Sequence, residues 1–122
     1  MQTIHEVARN FTALLRAGTF VAAGDRYWSN DVTSIEPANL PDEICTTVSG
    51  KEATRNKCTA RFSTALIDEI GIDGPFVTGN QFALFLDLVT LDPASAARQP
   101  FTEIALYTVR DGQIAEERFF YE

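Results

Sequence analysis

With 122 residues and a formal net charge of −7, the chain has the length of one domain, residues 1–122, and its 45% hydrophobic content can bury a core without metal or disulfide staples. No apolar run approaches the ~18 residues that span a bilayer, and no Lys/Arg cluster of the phosphate-tracking kind is present, so the sequence argues against both membrane and nucleic-acid partners. A single His and two Cys residues outside any CxxC are too few for a zinc site, so no metal or other cofactor is expected.

The N-terminal MQTIHEVARN is polar where a secretory signal has an apolar core, which predicts a cytoplasmic address. Cys45 and Cys58 then read as reduced, structural thiols. Thr3 and Glu6 have the T-x-x-E spacing of a capping box, so a helix is predicted to start there. Ile4, Val7, Ala8, Phe11, Leu14 and Leu15 recur at helical spacing until Gly18 stops the run. Thr19 is expected to cap a second, shorter helix over FVAAGDRYW, completing a helical hairpin. Asn30-Asp31 is a turn signal, VTSIEP a short strand ending at Pro37, ANLPDE a loop and EICTTV a second short strand. Ser49 and Glu52 repeat the capping-box spacing, which predicts a third helix from Gly50 to about Leu66. Arg55, Lys57 and Arg61 read as its solvated face, with one of them available to close a pocket mouth over an anion.

From Ile70 the texture changes to two β-rich runs separated by Gly79-Asn80, a hairpin with a tight turn. The loop PASAARQP leads into a second hairpin, FTEIALYTV and QIAEERFFY around Arg110-Asp111-Gly112. The order α-α-β-β-α-β-β-β-β, helices first and hairpin-linked strands after, is that of an α+β domain with a largely antiparallel sheet. The fourth strand is apolar on both faces, Ala83, Phe85 and Val89 against Leu84, Leu86 and Leu88. One face is expected to line the interior and the other to be covered in a homodimer. Asp87, interrupting that strand, is expected to form an ion pair with Arg110 or Arg118.

The paired N-terminal helices, YWSNDVTSIEP, SGKEATR opening the third helix and the closing IALYTVRDGQIAEERFF together resemble the SnoaL-like branch of the nuclear transport factor 2-like superfamily, over nearly the whole chain. The resemblance implies a cone-shaped half-barrel in which three helices pack on a strongly bent sheet and enclose a pocket. It does not by itself name a reaction, since the superfamily holds isomerases, cyclases, hydrolases and non-catalytic adaptors. Residue by residue, Glu36-Pro37 matches the place of the isomerases' general-base carboxylate. Their oxyanion-hole Tyr and Asp fall at Thr12 and Ala105, and the His and Asp of the SnoaL-type cyclases fall at Ala105 and Phe119. The Asp-Arg-Asp set of the epoxide hydrolases has no counterpart. Each familiar mechanism therefore lacks a necessary group.

The register of the last hairpin decides the remaining candidates. With a bulge at Gly112, Phe101, Glu103, Ala105 and Tyr107 share a face with Ala115, Glu117, Phe119 and Tyr121; with a plain two-residue turn, Glu103 and Tyr107 instead face Glu116, Arg118 and Phe120. The x-D-G-x sequence favours the bulge. On that register Glu103, Glu117, Tyr107 and Tyr121 line the pocket, with Trp28 and Phe119 as apolar walls, around a small molecule of unspecified identity. A close carboxylate pair can share a proton, which would suit Glu36 or Glu117 as base and Tyr107 or Tyr121 as donor to a developing oxyanion. Two plainer outcomes stand beside this: Glu117 paired with a basic neighbour and Tyr107 capping an aromatic core, in a binding module or a purely structural dimerisation domain whose interior is filled by Phe and Leu.

Overall fold

The computed structural model describes residues 1–38, 47–62 and 66–121. Among these residues three helices and six strands follow in the expected order: α1 (Ile4–Arg16), α2 (Phe20–Tyr27), β1 (Trp28–Ile35), β2 (Val48–Ser49), α3 (Lys51–Phe62), β3 (Leu66–Thr78), β4 (Gln81–Leu91), β5 (Arg98–Arg110) and β6 (Gln113–Phe120). The strands form one open sheet in the order β2-β1-β6-β5-β4-β3. Its pairings are antiparallel except β1 with β6, which run parallel. The class is α+β.

The capping box forms at α1 as its spacing predicts: Thr3 Oγ1 accepts from Glu6 N at 3.2 Å and Thr3 N donates to Glu6 Oε1 at 3.0 Å. The two backbone donors so satisfied fix the first turn, and the helix presents Val7, Ala8, Phe11 and Leu15 to the core. Gly18, at φ +82°, ends it. Thr19 does not cap α2 by its side chain; its hydroxyl donates to Leu14 O at 2.7 Å and closes the end of α1 instead. The Asn30-Asp31 turn signal falls inside β1, where the register against β6 shifts between Trp28 and Thr33. A local irregularity absorbs those turn-forming residues without breaking the strand. Of the strand predicted over EICTTV only Val48 lies in β2, and positions 43–46, Cys45 among them, lie outside the described residues. Gly50, at φ +98°, precedes α3, and Leu66, predicted to close that helix, opens β3.

The helices cover the sheet face that carries Phe82, Leu84, Leu86, Ala105, Tyr107, Ile114 and Phe119, and with α1 and α2 these form the core. Each fully buried aliphatic or aromatic side chain there contributes roughly 1.5–3 kcal/mol. On the opposite face Phe85, Ile104 and Phe120 are 39%, 48% and 48% exposed. Asp87 also lies on that outer face, exposed, and has no ion pair among the described residues. The expected pair with Arg110 or Arg118 therefore does not form, because a carboxylate in water needs no protein counter-charge.

One glycine positions the site directly. A Cβ added to Gly24 in α2 would lie 2.2 Å from the Trp28 ring, so the indole packs flat on bare helix backbone. Alanine is the better helix former by about 1 kcal/mol, but a rigid ring cannot retreat as a flexible chain would, and overpacking costs roughly 1–3 kcal/mol or more. Gly24→Ala is expected to be a net destabilisation of up to about 2 kcal/mol by that balance, read from urea denaturation, and to shift the Trp28 emission. A variant as stable as the parent would show that the indole has somewhere else to go.

Candidate functional site

The register of the last hairpin is set by two separate devices. Asp111 and Gly112 both have positive φ, +53° and +74°, the pattern of a two-residue type I′ turn closing on the Arg110↔Gln113 pair. The expected bulge at Gly112 is thus absent. One rung on, the register shifts between Val109↔Ile114 and Thr108↔Glu116, making Ala115 the extra residue. This second device restores the facing that the Gly112 bulge would have produced: Tyr107 pairs with Glu117 and Ala105 with Phe119.

A narrow cavity of about 50 Å³ lies between α1, α2, α3 and the inner sheet face, lined in part by Trp28, Glu36, Glu103, Tyr107, Glu117 and Phe119. The helices complete it with Phe11, Leu15, Phe20, Lys57, Cys58 and Arg61. Tyr121 stands beside this wall, its hydroxyl donating to Glu36 Oε2 at 2.6 Å. Six of the seven sequence candidates therefore line one cavity and the seventh is bonded to one of them.

The three carboxylates are held differently. Glu36 Oε1 lies 3.0 Å from Lys57 Nζ, and Glu103 Oε2 accepts from Arg61 Nη2 at 2.7 Å. Among the described residues Glu117 meets no cation at bonding distance. Its Oε1 accepts from Trp28 Nε1 at 2.8 Å and its Oε2 from Ser34 Oγ at 2.7 Å, both neutral donors. Burial raises the Glu117 carboxyl above the usual carboxylate value, against the pull of the Ser34 and Trp28 hydrogen bonds. Burial also raises Glu103, with the Arg61 guanidinium pulling it back. The same surroundings push the Cys58 thiol up to about 12, burial first and the Glu117 charge second, which keeps it a poor nucleophile.

Tyr107 is buried, its ring stacked on Phe82 at 4.8 Å and edge-on to Phe11 at 4.9 Å. Burial, with Glu117 and Glu103 nearby, raises its phenol well above the usual value, so the hydroxyl stays protonated. That hydroxyl makes no hydrogen bond to a described residue. Opposed to Glu117 across neighbouring strands, it supplies the cavity with an unused donor and acceptor. Thr12 is closed to any such role, because its hydroxyl donates back to Ala8 O at 2.6 Å.

The third helix departs from its reading as a solvated face. Arg55 is solvated and pairs with Asp25 at 2.6 Å, but Lys57 and Arg61 turn inward to Glu36 and Glu103. Arg61 also lies over the rings of Phe101, Phe119 and Tyr121, at 4.8, 5.6 and 5.5 Å. The Thr54, Cys58, Arg61 spacing of i, i+4, i+7 marks an inward stripe, and Ser34 in β1 lies two residues before Glu36, which follows the strand's last residue; both signals were in the sequence. Cys58 is a free thiol. Among the described residues no group of three or more His, Cys, Asp or Glu is placed to hold a metal ion, and no helix is long and apolar enough to cross a membrane.

The SnoaL-like domain matches residues 2–121. A solved structure from Mesorhizobium loti, named as a candidate SnoaL-like polyketide cyclase with carbohydrate phosphatase in brackets, is 36% identical over 98% of this chain and 100% of that one, with a TM-score of 0.86. A candidate SnoaL-like polyketide cyclase from Jannaschia is 17% identical over 100% of this chain and 90% of that one, at a TM-score of 0.75. A protein of ketosteroid isomerase-like fold from Catenulispora acidiphila, solved in complex with trimethylamine, is 15% identical over 92% and 85%, at 0.73. No curated protein matches the chain.

Proposed function

The chain belongs to the SnoaL-like domain family, and on that premise we propose that its cavity binds a compact, partly apolar small molecule with which Glu117 exchanges a proton. What carries the reading is the unequal treatment of three buried carboxylates: Glu36 and Glu103 are committed to cations, whereas Glu117 is oriented by two neutral donors, so the upward pull of burial, which acts on Glu103 as well, meets no ion pair there. The Tyr107 hydroxyl then addresses the ligand's polar atom. Between the two candidate bases the geometry favours Glu117 over Glu36, and between the two phenols Tyr107 over Tyr121, since Tyr121 and Lys57 already hold Glu36. A cofactor-free isomerase, cyclase or hydrolase is the reaction class this supports. The cavity volume favours a small substrate, or the small reacting end of a larger one.

A second reading, a non-catalytic binding module, is favoured by Thr12, Ala105 and Phe119, which stand where the familiar isomerases and cyclases need polar groups. Glu117→Gln separates the two. In an enzyme it lowers turnover by about 10²–10⁴; in a binder there is no turnover to lose. Turnover surviving in Glu117→Gln would remove Glu117 from the chemistry. A panel of small carbonyl, terpenoid, polyketide-like and amine compounds that moves neither the melting temperature nor the Trp28 emission would remove the pocket reading.

We also infer that two copies pair through the outer sheet face, in a cytoplasmic setting that suits the free thiol of Cys58. Phe85, Ile104 and Phe120 form one apolar row across β4, β5 and β6. Asp87 and Arg118 lie at opposite corners of it, so a two-fold axis through Ile104 sets Asp87 against Arg118 of the partner subunit and the reverse. Ile104→Asp is expected to halve the mass measured by light scattering while leaving the fold intact. An unaltered chain that runs as a monomer at micromolar concentration would refute the pairing.

A further inference from the structure

Charge inside the cavity does not balance. Among its described lining residues Glu36, Glu103 and Glu117 oppose only Lys57 and Arg61. Two ion pairs consume both cations, and Glu117 is left with hydrogen bonds but no positive group in contact. Two neutral hydrogen bonds offset only part of the cost of burying a carboxylate, so the cavity has room for one more positive charge, either a proton or a cationic ligand.

Three further features distinguish the cationic ligand from a proton alone. Phe11, Phe20, Trp28 and Phe119 supply aromatic walls, and aromatic faces attract ammonium groups while apolar chains fill the same space. Tyr107, only 3% exposed, brings a hydroxyl with no partner among the described residues to the residue directly opposite Glu117, where its oxygen can accept an N–H. The net charge of −7 enriches cations around the whole molecule.

We propose that the ligand of this cavity is a small organic ammonium ion, a compact amine whose nitrogen lies between the Glu117 carboxylate and the Tyr107 hydroxyl and whose alkyl group packs on the aromatic walls. This rests on the reading of the cavity as a ligand site and adds the ligand's charge class to it. On binding, the ammonium ion supplies the counter-charge that Glu117 lacks, and Glu117 releases any proton it held.

Three probes test this: tert-butylammonium and tert-butanol are isosteric and differ in charge, and pivalate presents the same tert-butyl group on a slightly larger anion. They are titrated into the full chain at pH 7 by calorimetry and by Trp28 emission. The expected result is that tert-butylammonium binds at least about tenfold tighter than tert-butanol, and that pivalate does not bind. In Glu117→Gln the ammonium should lose about tenfold or more in affinity while tert-butanol, which reports an intact pocket, is unchanged. Tert-butanol or pivalate binding as well as the ammonium would overturn the charge class and leave the pocket standing. Failure of all three would overturn both. Ammonium binding undiminished in Glu117→Gln would remove Glu117 from the proposal, and the isostere comparison on the unaltered chain holds whether or not that variant folds.

Discussion

Arg61→Met is expected to cost about 3 kcal/mol of folding stability, against less than about 1 kcal/mol for Arg55→Met. Distance alone would predict the reverse order, since Arg55–Asp25 is the shorter pair at 2.6 Å and Arg61–Glu103 measures 2.7 Å. Burial decides. The Arg55 and Asp25 side chains are 38% and 42% exposed, so water replaces whichever partner is lost, whereas Glu103 is 3% exposed and would be left as a buried charge with no counter-ion. The guanidinium also covers Phe101, Phe119 and Tyr121, and Met retains part of that packing. Replacing both partners, Arg61→Met with Glu103→Met, should recover most of the loss, because the cost lies in the unpaired carboxylate rather than in the missing bond. The sign of the pH dependence follows. Without Arg61 the Glu103 carboxyl, already raised by burial, rises further. The native state then binds a proton that the unfolded chain has released, so the variant loses stability as pH climbs above the ordinary carboxylate value. Denaturation at pH 5 and pH 8 checks all three proteins; a single variant no weaker than Arg55→Met, or a double variant weaker than the single, would show that the buried charge is not the controlling quantity.

The elements legible in the sequence were those whose signals are local. The T-x-x-E box, the Gly18 stop and the two Gly-containing hairpins each specify a few neighbouring residues, and each lands where its spacing places it. What the sequence hid are competitions between local signals and the sheet. Asn30-Asp31 is a good turn and is overruled because Trp28, Val32 and Ser34 are all needed on the inner face of β1. Asp111-Gly112 serves a tight I′ turn as readily as a bulged loop, and Ala115, where the facing is set, carries no distinguishing chemistry. The inward turn of α3 was obscured for a different reason. Its inward stripe is Thr54, Cys58 and Arg61 rather than Leu or Ile, so apolar periodicity cannot reveal a helix whose inner face carries charge to meet the carboxylates of a pocket.

Polar residues on inner faces also explain how the site is built from ordinary parts. Ser34, Glu36, Glu103 and Glu117 occupy positions where alternation alone would put aliphatic side chains, and each is satisfied by a neighbour from another element. A core carrying so many polar groups gives up hydrophobic stabilisation that the same positions could supply. The apolar wall of Leu84, Leu86 and Leu88 on β4, together with Phe82, compensates on the neighbouring part of the sheet. The ion pairs of the pocket are thus made from α3, while Phe11, Leu15, Phe20 and Leu86 close the cavity with apolar groups.

Trp28→Phe is expected to cost about 2–4 kcal/mol, part of it conditional on pH. Removing the indole's second ring leaves a small cavity, worth about 1 kcal/mol. Removing Nε1 leaves Glu117 Oε1 buried without its donor, worth about 1–3 kcal/mol when the carboxyl is ionised and far less when it is protonated. In the parent the Trp28 and Ser34 hydrogen bonds pull the Glu117 carboxyl down against burial, so losing one of them raises it further. A carboxyl raised in the native state stabilises at low pH and loses that contribution as pH rises through its native value, since the folded protein then holds the proton longer than the unfolded chain does. The loss caused by Trp28→Phe should therefore be smallest near pH 5 and largest near pH 8. In a Glu117→Gln background the same substitution should cost the same at both pH values, leaving only the part that does not depend on ionisation. Urea denaturation followed by circular dichroism, on the four proteins of this cycle at the two pH values, isolates the coupling. An equal cost at pH 5 and pH 8 in the presence of Glu117 would mean that Trp28 serves the fold by packing alone, and that the carboxylate on which the proposed chemistry depends is held by Ser34 without it.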